Sequence, residues 1–165
     1  RRYSLMRYVF IVMLGWLFLG CSSSYDALHV ESEKVLDFGM ANSKKLEMIN
    51  SPTSKTYVTI TYLNPIKHAL VNNDSEKFIV GTYVATGENE VQKAILSNFA
   101  INGEKEEIKV SPLDKDAKIL KLVSSSNPWS DYLLVEAPFT DKIDMNISFE
   151  NDHSKRVLAK FRKDF

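Results

Sequence analysis

The chain has 165 residues, with 21 Lys and Arg balanced by 21 Asp and Glu. Without the first 20 residues, which hold Arg1, Arg2 and Arg7 and no acid, 18 basic residues face 21 acidic ones, a net charge of −3. That length suits one domain with a proper core; that charge excludes the cationic footprint of a nucleic-acid or anionic-lipid binder; and the lone cysteine, Cys21, excludes an internal disulfide framework.

The first element in chain order is a targeting segment. Arg7 leads into 13 uncharged residues, Tyr8 to Gly20. As a helix they would rise only about 20 Å, short of the ~30 Å hydrocarbon core of a bilayer. A buried core helix would carry polar positions at helical spacing, and this run has none. It fits a secretory apolar region of about 7–15 residues, with Arg7 as its positive flank and Gly20 as the small residue at its end. Met6 reads as the initiator, since the five residues before it add nothing to the pattern.

Phe18-Leu19-Gly20-Cys21 resembles the lipobox of bacterial lipoproteins, Leu-(Ala/Ser)-(Gly/Ala)-Cys. It matches at Gly20 and Cys21 and departs at Phe18 and Leu19. The resemblance implies a signal peptide over residues 1–20, with Cys21 acylated on its sulfur as the N-terminus of the mature chain. Residues 21–30 are then anchor and tether, opening with Ser22, Ser23 and Ser24. Each buried CH₂ contributes about 0.8 kcal/mol and one acyl chain anchors only marginally, so the two or three chains of this class make the lipid bilayer a lasting partner. The absence of Asp after the cysteine implies, by the same resemblance, the outer membrane of a Gram-negative cell, facing the periplasm or the cell surface.

Residues 31–165 are expected to form a single domain. Asp26–Phe38 holds Leu28, Val35, Leu36 and Phe38 among charged residues and reads as a short helix ended by Gly39. Lys44–Asn50 reads as a first strand, and Ser51-Pro52-Thr53-Ser54 as a turn. Thr56–Leu63 is β-branched and aromatic, Phe78–Ala85 follows after two turn clusters, and Lys93–Ile101 comes next. Asn102-Gly103 is a strong hairpin signal whose partner would be Glu107–Val110. Ala117–Val123 and Tyr132–Ala137 are two further expected strands, separated by a loop over Ser124–Pro128. From Ile143 to Glu150 every odd residue is apolar and every even one polar, the signature of a strand with one face buried. Arg156–Arg162 alternates again, with Val157, Ala159 and Phe161 on one face.

Short strands at regular spacing with no helical pattern between them predict an all-β domain, a two-layer immunoglobulin-like β-sandwich of about 7–9 strands. Terminal Phe165 preceded by Phe161, Ala159 and Val157 also looks like the closing strand of an eight-stranded outer-membrane barrel. Lys163 interrupts that face, however, and the strands are shorter than the ~9–11 residues such a barrel needs.

Chemistry is sparse. His29, His68 and His153 stand apart from one another, and the lone cysteine gives no zinc pair. There is no nucleophile elbow, P-loop or dinucleotide fingerprint among six scattered glycines. The acidic runs Glu88-Asn89-Glu90 and Glu104-Lys105-Glu106-Glu107 lack calcium-loop spacing. No metal or cofactor is therefore expected, and no small-molecule ligand is identified. Trp129 and Tyr132, in Pro128-Trp129-Ser130-Asp131-Tyr132, are the candidate ligand or partner contacts. For Trp129 the favoured reading is instead a plug at the mouth of the sandwich, since large aromatics dominate small cores. The expected activity is non-catalytic: a membrane-anchored sandwich that binds or scaffolds a cell-envelope partner. A tethered accessory hydrolase and the small barrel are the alternatives.

Overall fold

A computed structural model describes residues 39–87, 92–124 and 126–163. They belong to one of two compact units of the chain, Lys34–Phe165. The targeting segment, Cys21, the tether, His29 and the helix expected over Asp26–Phe38 lie outside the described residues.

Among the described residues, eight strands follow in order: β1 (Ser43–Ser51), β2 (Ser54–Tyr62), β3 (Ser75–Thr86), β4 (Leu96–Ile101), β5 (Lys109–Leu113), β6 (Asp131–Pro138), β7 (Asp144–Asn151) and β8 (Arg156–Arg162). They make two antiparallel sheets, one ordered β1-β2-β3-β6-β5 and the other β4-β7-β8. A barrel requires one sheet closed on itself, and these strands form two.

The core follows from period-2 patterning. Met145, Ile147 and Phe149 of β7 and Val157, Ala159 and Phe161 of β8 are buried, as their alternation predicts. They share one cluster with Val58, Ile60 and Tyr62 of β2 and with Phe78 and Val80 of β3. Apolar faces of both sheets thus fill a single interior, the arrangement of a β-sandwich. At one end the two sheets are joined by a polar contact, Asn151 Nδ2 donating to Asn50 Oδ1 at 2.7 Å. Asn50 also donates to Thr56 Oγ1 at 2.9 Å, so neither amide is left wanting.

The five-stranded sheet is covered on its outer face too. Ile79 and Tyr132 pack there against Leu63, Ile66, Leu120, Leu122 and Val123. This second layer explains why β3 is buried continuously from Glu76 to Phe78 and on to Thr82.

Three local expectations are corrected. Ala117–Val123 is not a strand; Lys118–Leu122 winds into a 3₁₀ helix. Successive three-residue bonds tighten it, Leu120 N to Ala117 O at 2.9 Å and Val123 N to Leu120 O at 3.1 Å. Its apolar residues come in adjacent pairs, Ile119-Leu120 and Leu122-Val123, and this winding brings them down on the outer face of the sheet.

Asn102 and Gly103 do take positive φ, 52° and 88°, and Ile101 and Glu104 close the turn reciprocally at 2.9 Å. The hairpin goes no further. Asn102 N donates to Asn146 O at 2.7 Å and Asn102 Oδ1 accepts Asn146 N at 2.9 Å, tying this corner to β7. The chain then crosses to the other sheet, where β5 pairs with β6.

Gly39, expected to stop a helix, is itself helical, with residues 39–41 in one helical stretch. A Cβ there would lie 2.5 Å from the Leu122 carbonyl oxygen. The glycine permits a close backbone approach rather than a left-handed turn.

Candidate functional site

Trp129 and Tyr132 occupy opposite environments. Tyr132 is 4% exposed, in the outer core layer. It stands opposite Gly81 in the β3–β6 register, and a Cβ on Gly81 would meet Tyr132 Cε1 at 2.7 Å. The ring therefore lies over a bare stretch of backbone that any other residue would fill. Trp129 is 75% exposed. It does not plug the sandwich; Tyr132, three residues on, takes the buried place.

The two residues act on one turn. Asn127 N donates to Tyr132 Oη at 2.7 Å. Asn127 Oδ1 accepts both Trp129 N at 3.0 Å and Ser130 N at 2.9 Å, a side chain standing in for the missing backbone bonds of the turn. Lys115 Nζ donates to Pro128 O, and the proline ring fixes its own φ. Trp129 is thus carried on a turn held from inside the core and from a neighbouring loop, while its own ring makes little contact with the rest of the domain. On the outer face of the same sheet, Tyr57 and Tyr83 face each other across β2 and β3 with ring centroids 6.4 Å apart. Both are partly exposed, as is Ile49 on β1.

A second constellation was signalled only by Lys163 breaking the apolar face of the last strand. Lys163 Nζ donates to Glu76 Oε1 and to Thr140 O. Tyr62 OH donates to Glu76 Oε2 at 2.6 Å, and Thr140 N to Glu76 Oε1 at 3.0 Å. Glu76 is 0% and Lys163 8% exposed, and the ammonium sits 4.3 Å from the centre of the Phe139 ring. Burial, the hydrogen bond to Glu76 and its negative charge push the Tyr62 hydroxyl well above the usual tyrosine range. Both carboxylate oxygens of Glu76, the Tyr62 hydroxyl and the Lys163 ammonium are engaged within the group, so it ties β3 to the end of β8.

The remaining sequence candidates fall in turns. His68 Nδ1 accepts Leu70 N at 3.1 Å, and His153 lies beside Asp152 at 3.2 Å in the β7–β8 turn. Glu88, Asn89 and Glu90 lie outside the described residues. Among the described residues no three His, Cys, Asp or Glu side chains gather as a metal site. An open groove of about 430 Å³ runs beside β5, walled by Ser75, Glu107, Ile108, Lys109, Glu136 and Pro138. The Ser75 hydroxyl there accepts Lys77 Nζ at 2.8 Å. No helix among the described residues is long and apolar enough to cross a membrane. Compared with protein-family models, curated proteins and solved structures, the chain matches none.

Proposed function

We propose that the protein is a bacterial lipoprotein whose acylated Cys21 tethers an immunoglobulin-like sandwich, and that the sandwich binds a cell-envelope partner through Trp129 without catalysing a reaction. The binding half of this reading is carried by one observation: a largely exposed indole on a turn fixed by Asn127, Tyr132 and Lys115. Tryptophan is enriched among residues that dominate binding energy, and holding it in place beforehand removes an ordering cost from association. The half-exposed pair Tyr57 and Tyr83 extends the aromatic surface of the same sheet.

The immunoglobulin-like assignment is supported by strand order. Leaving β1 aside, β2-β3-β6-β5 facing β4-β7-β8 follows the A-B-E-D and C-F-G sheets of a constant-type domain, strand for strand. β1 is then an added strand beside the first. The anchor rests on the uncharged run ending in Gly20-Cys21.

The start of β1 and the Trp129 turn lie toward opposite ends of one sheet. Register sets Ser43, where β1 begins, beside Thr61, at the end of the sheet that holds Glu76 and Lys163. The Trp129 turn precedes Asp131, which pairs with Thr82, toward the other end.

Cys21→Ala should abolish metabolic labelling with palmitate; label persisting in that variant would sink the anchor. Trp129→Ala should keep palmitate labelling and the fold while losing partners cross-linked by the parent in intact cells. An unchanged cross-link pattern would remove the binding role.

A further inference from the structure

Among the described residues, the four edge strands of the two sheets differ in how they meet another chain. An edge strand presents unpaired backbone groups, and proteins blunt that template with short strands, proline, bulges or charge. β5 is five residues long and contains Pro112. β4 is bulged between Ser97 and Ala100, with Asn98 at φ 54°. β8 is regular, but its solvent face carries Arg156, Lys160 and Arg162. A second β8 added antiparallel about Ala159 would set Arg156 against Arg162 of the second copy. Like charges directly opposite each other destabilise a pair of strands.

β1 has the contrary pattern. Met48 is buried and Leu46 packs against the core, so the even positions face inward. Lys45 and Glu47 alternate with them on the solvent face, and both are exposed. Turned antiparallel about Leu46, a second β1 brings Lys45 of each copy opposite Glu47 of the other. Two complementary rungs form, one on either side of the axis, and Leu46 meets its own counterpart between them. Glu47 already lies 3.5 Å from Lys55 through Oε2, and a carboxylate accepts further donors.

We propose that β1 is a self-association edge: two copies of this chain pair their β1 strands antiparallel about Leu46, joining two five-stranded sheets into one. The partner is a second copy because the complementarity lies within one strand and is satisfied by symmetry. The inference is independent of the lipid anchor. On a membrane, though, confinement of both copies would raise their effective concentration.

The symmetry axis gives a direct test. The full-length chain carrying Cys21→Ser and Leu46→Cys has one thiol, which in the dimer faces itself across a strand pair at disulfide distance. Oxidation of this protein, purified in detergent, should yield a covalent dimer on a non-reducing gel. Lys45→Cys or Glu47→Cys in the same background should yield about tenfold less, since neither residue faces its own copy. For the chain without added cysteines, sedimentation equilibrium should show Glu47→Lys weakening association by about tenfold or more. Lys45→Glu combined with Glu47→Lys should restore it. Both charge changes sit on an exposed face and spare the fold. Equal cross-linking from all three positions, or a double variant no tighter than Glu47→Lys alone, overturns the proposal.

Discussion

Trp129 and Tyr132 show how two neighbouring aromatics divide the work of a surface. Trp129 is in solvent, so Trp129→Ala should change unfolding free energy by no more than about 0.5 kcal/mol. Asn127→Ala removes the acceptor that shapes the turn and should cost about 1 kcal/mol; both are read from urea midpoints. A large loss for Trp129→Ala would mean that the indole is structural after all. The Glu76–Lys163 pair behaves in the opposite sense. Lys163→Met alone leaves a buried carboxylate without its cation and should cost about 3–5 kcal/mol, whereas adding Glu76→Leu and Tyr62→Phe, which removes the hydroxyl whose hydrogen bond Glu76 accepts, should recover most of that loss. A double-mutant cycle with no coupling between the two would contradict the contact. Tyr62 adds a pH signature. Its folded-state pKa lies above the unfolded value, so its contribution is complete below the unfolded pKa of about 10 and declines as pH rises beyond it. Urea midpoints should begin to fall above about pH 10 and keep falling as pH rises further, and fall less in Tyr62→Phe, which has nothing to ionise. An equal alkaline loss in both proteins would assign it to other groups.

Among the elements, strands with one wet face were the most legible. β7 and β8 sit within a residue of their expected limits because alternating residues such as Lys160 and Phe161 have only one workable orientation. β2, β3 and β6 were legible instead as β-rich runs bounded by turn residues, though β3 runs three residues earlier than Phe78 because Glu76 and Lys77 are paired inside. What failed was pairing, which is non-local. Asn102-Gly103 specifies a reversal of direction, but only Asn146, 44 residues away, shows that β7 holds the corner. The 3₁₀ segment escaped because Leu120 and Leu122 serve a second, outer core that no single strand reveals. In the candidate site, Trp129 was visible as an aromatic in a polar turn, but its exposure depended on Tyr132 finding space over Gly81. That space is testable. Gly81→Ala places a methyl 2.7 Å from the Tyr132 ring and should cost about 1–3 kcal/mol by overpacking. A neutral outcome in thermal unfolding would show that the ring has room to move.

At the scale of the molecule, the two sheets are tied at each end by polar contacts of different kinds. Asn50 and Asn151 close one end with neutral amides, and Glu76, Lys163 and Tyr62 close the other with charge. The charged end is also where β1 begins, and the neutral end is the one toward which the Trp129 turn lies. This polarity has a mechanical consequence. Were the chain held at its N-terminal side and pulled through Trp129, tension would run along the strands rather than across them. The ladder between β1 and β2, from Ser43↔Thr61 to Ser51↔Ser54, would then be loaded in shear, its hydrogen bonds sharing the force instead of parting one at a time. A domain strung this way resists a tug at its far tip better than one grasped by adjacent ends of neighbouring strands.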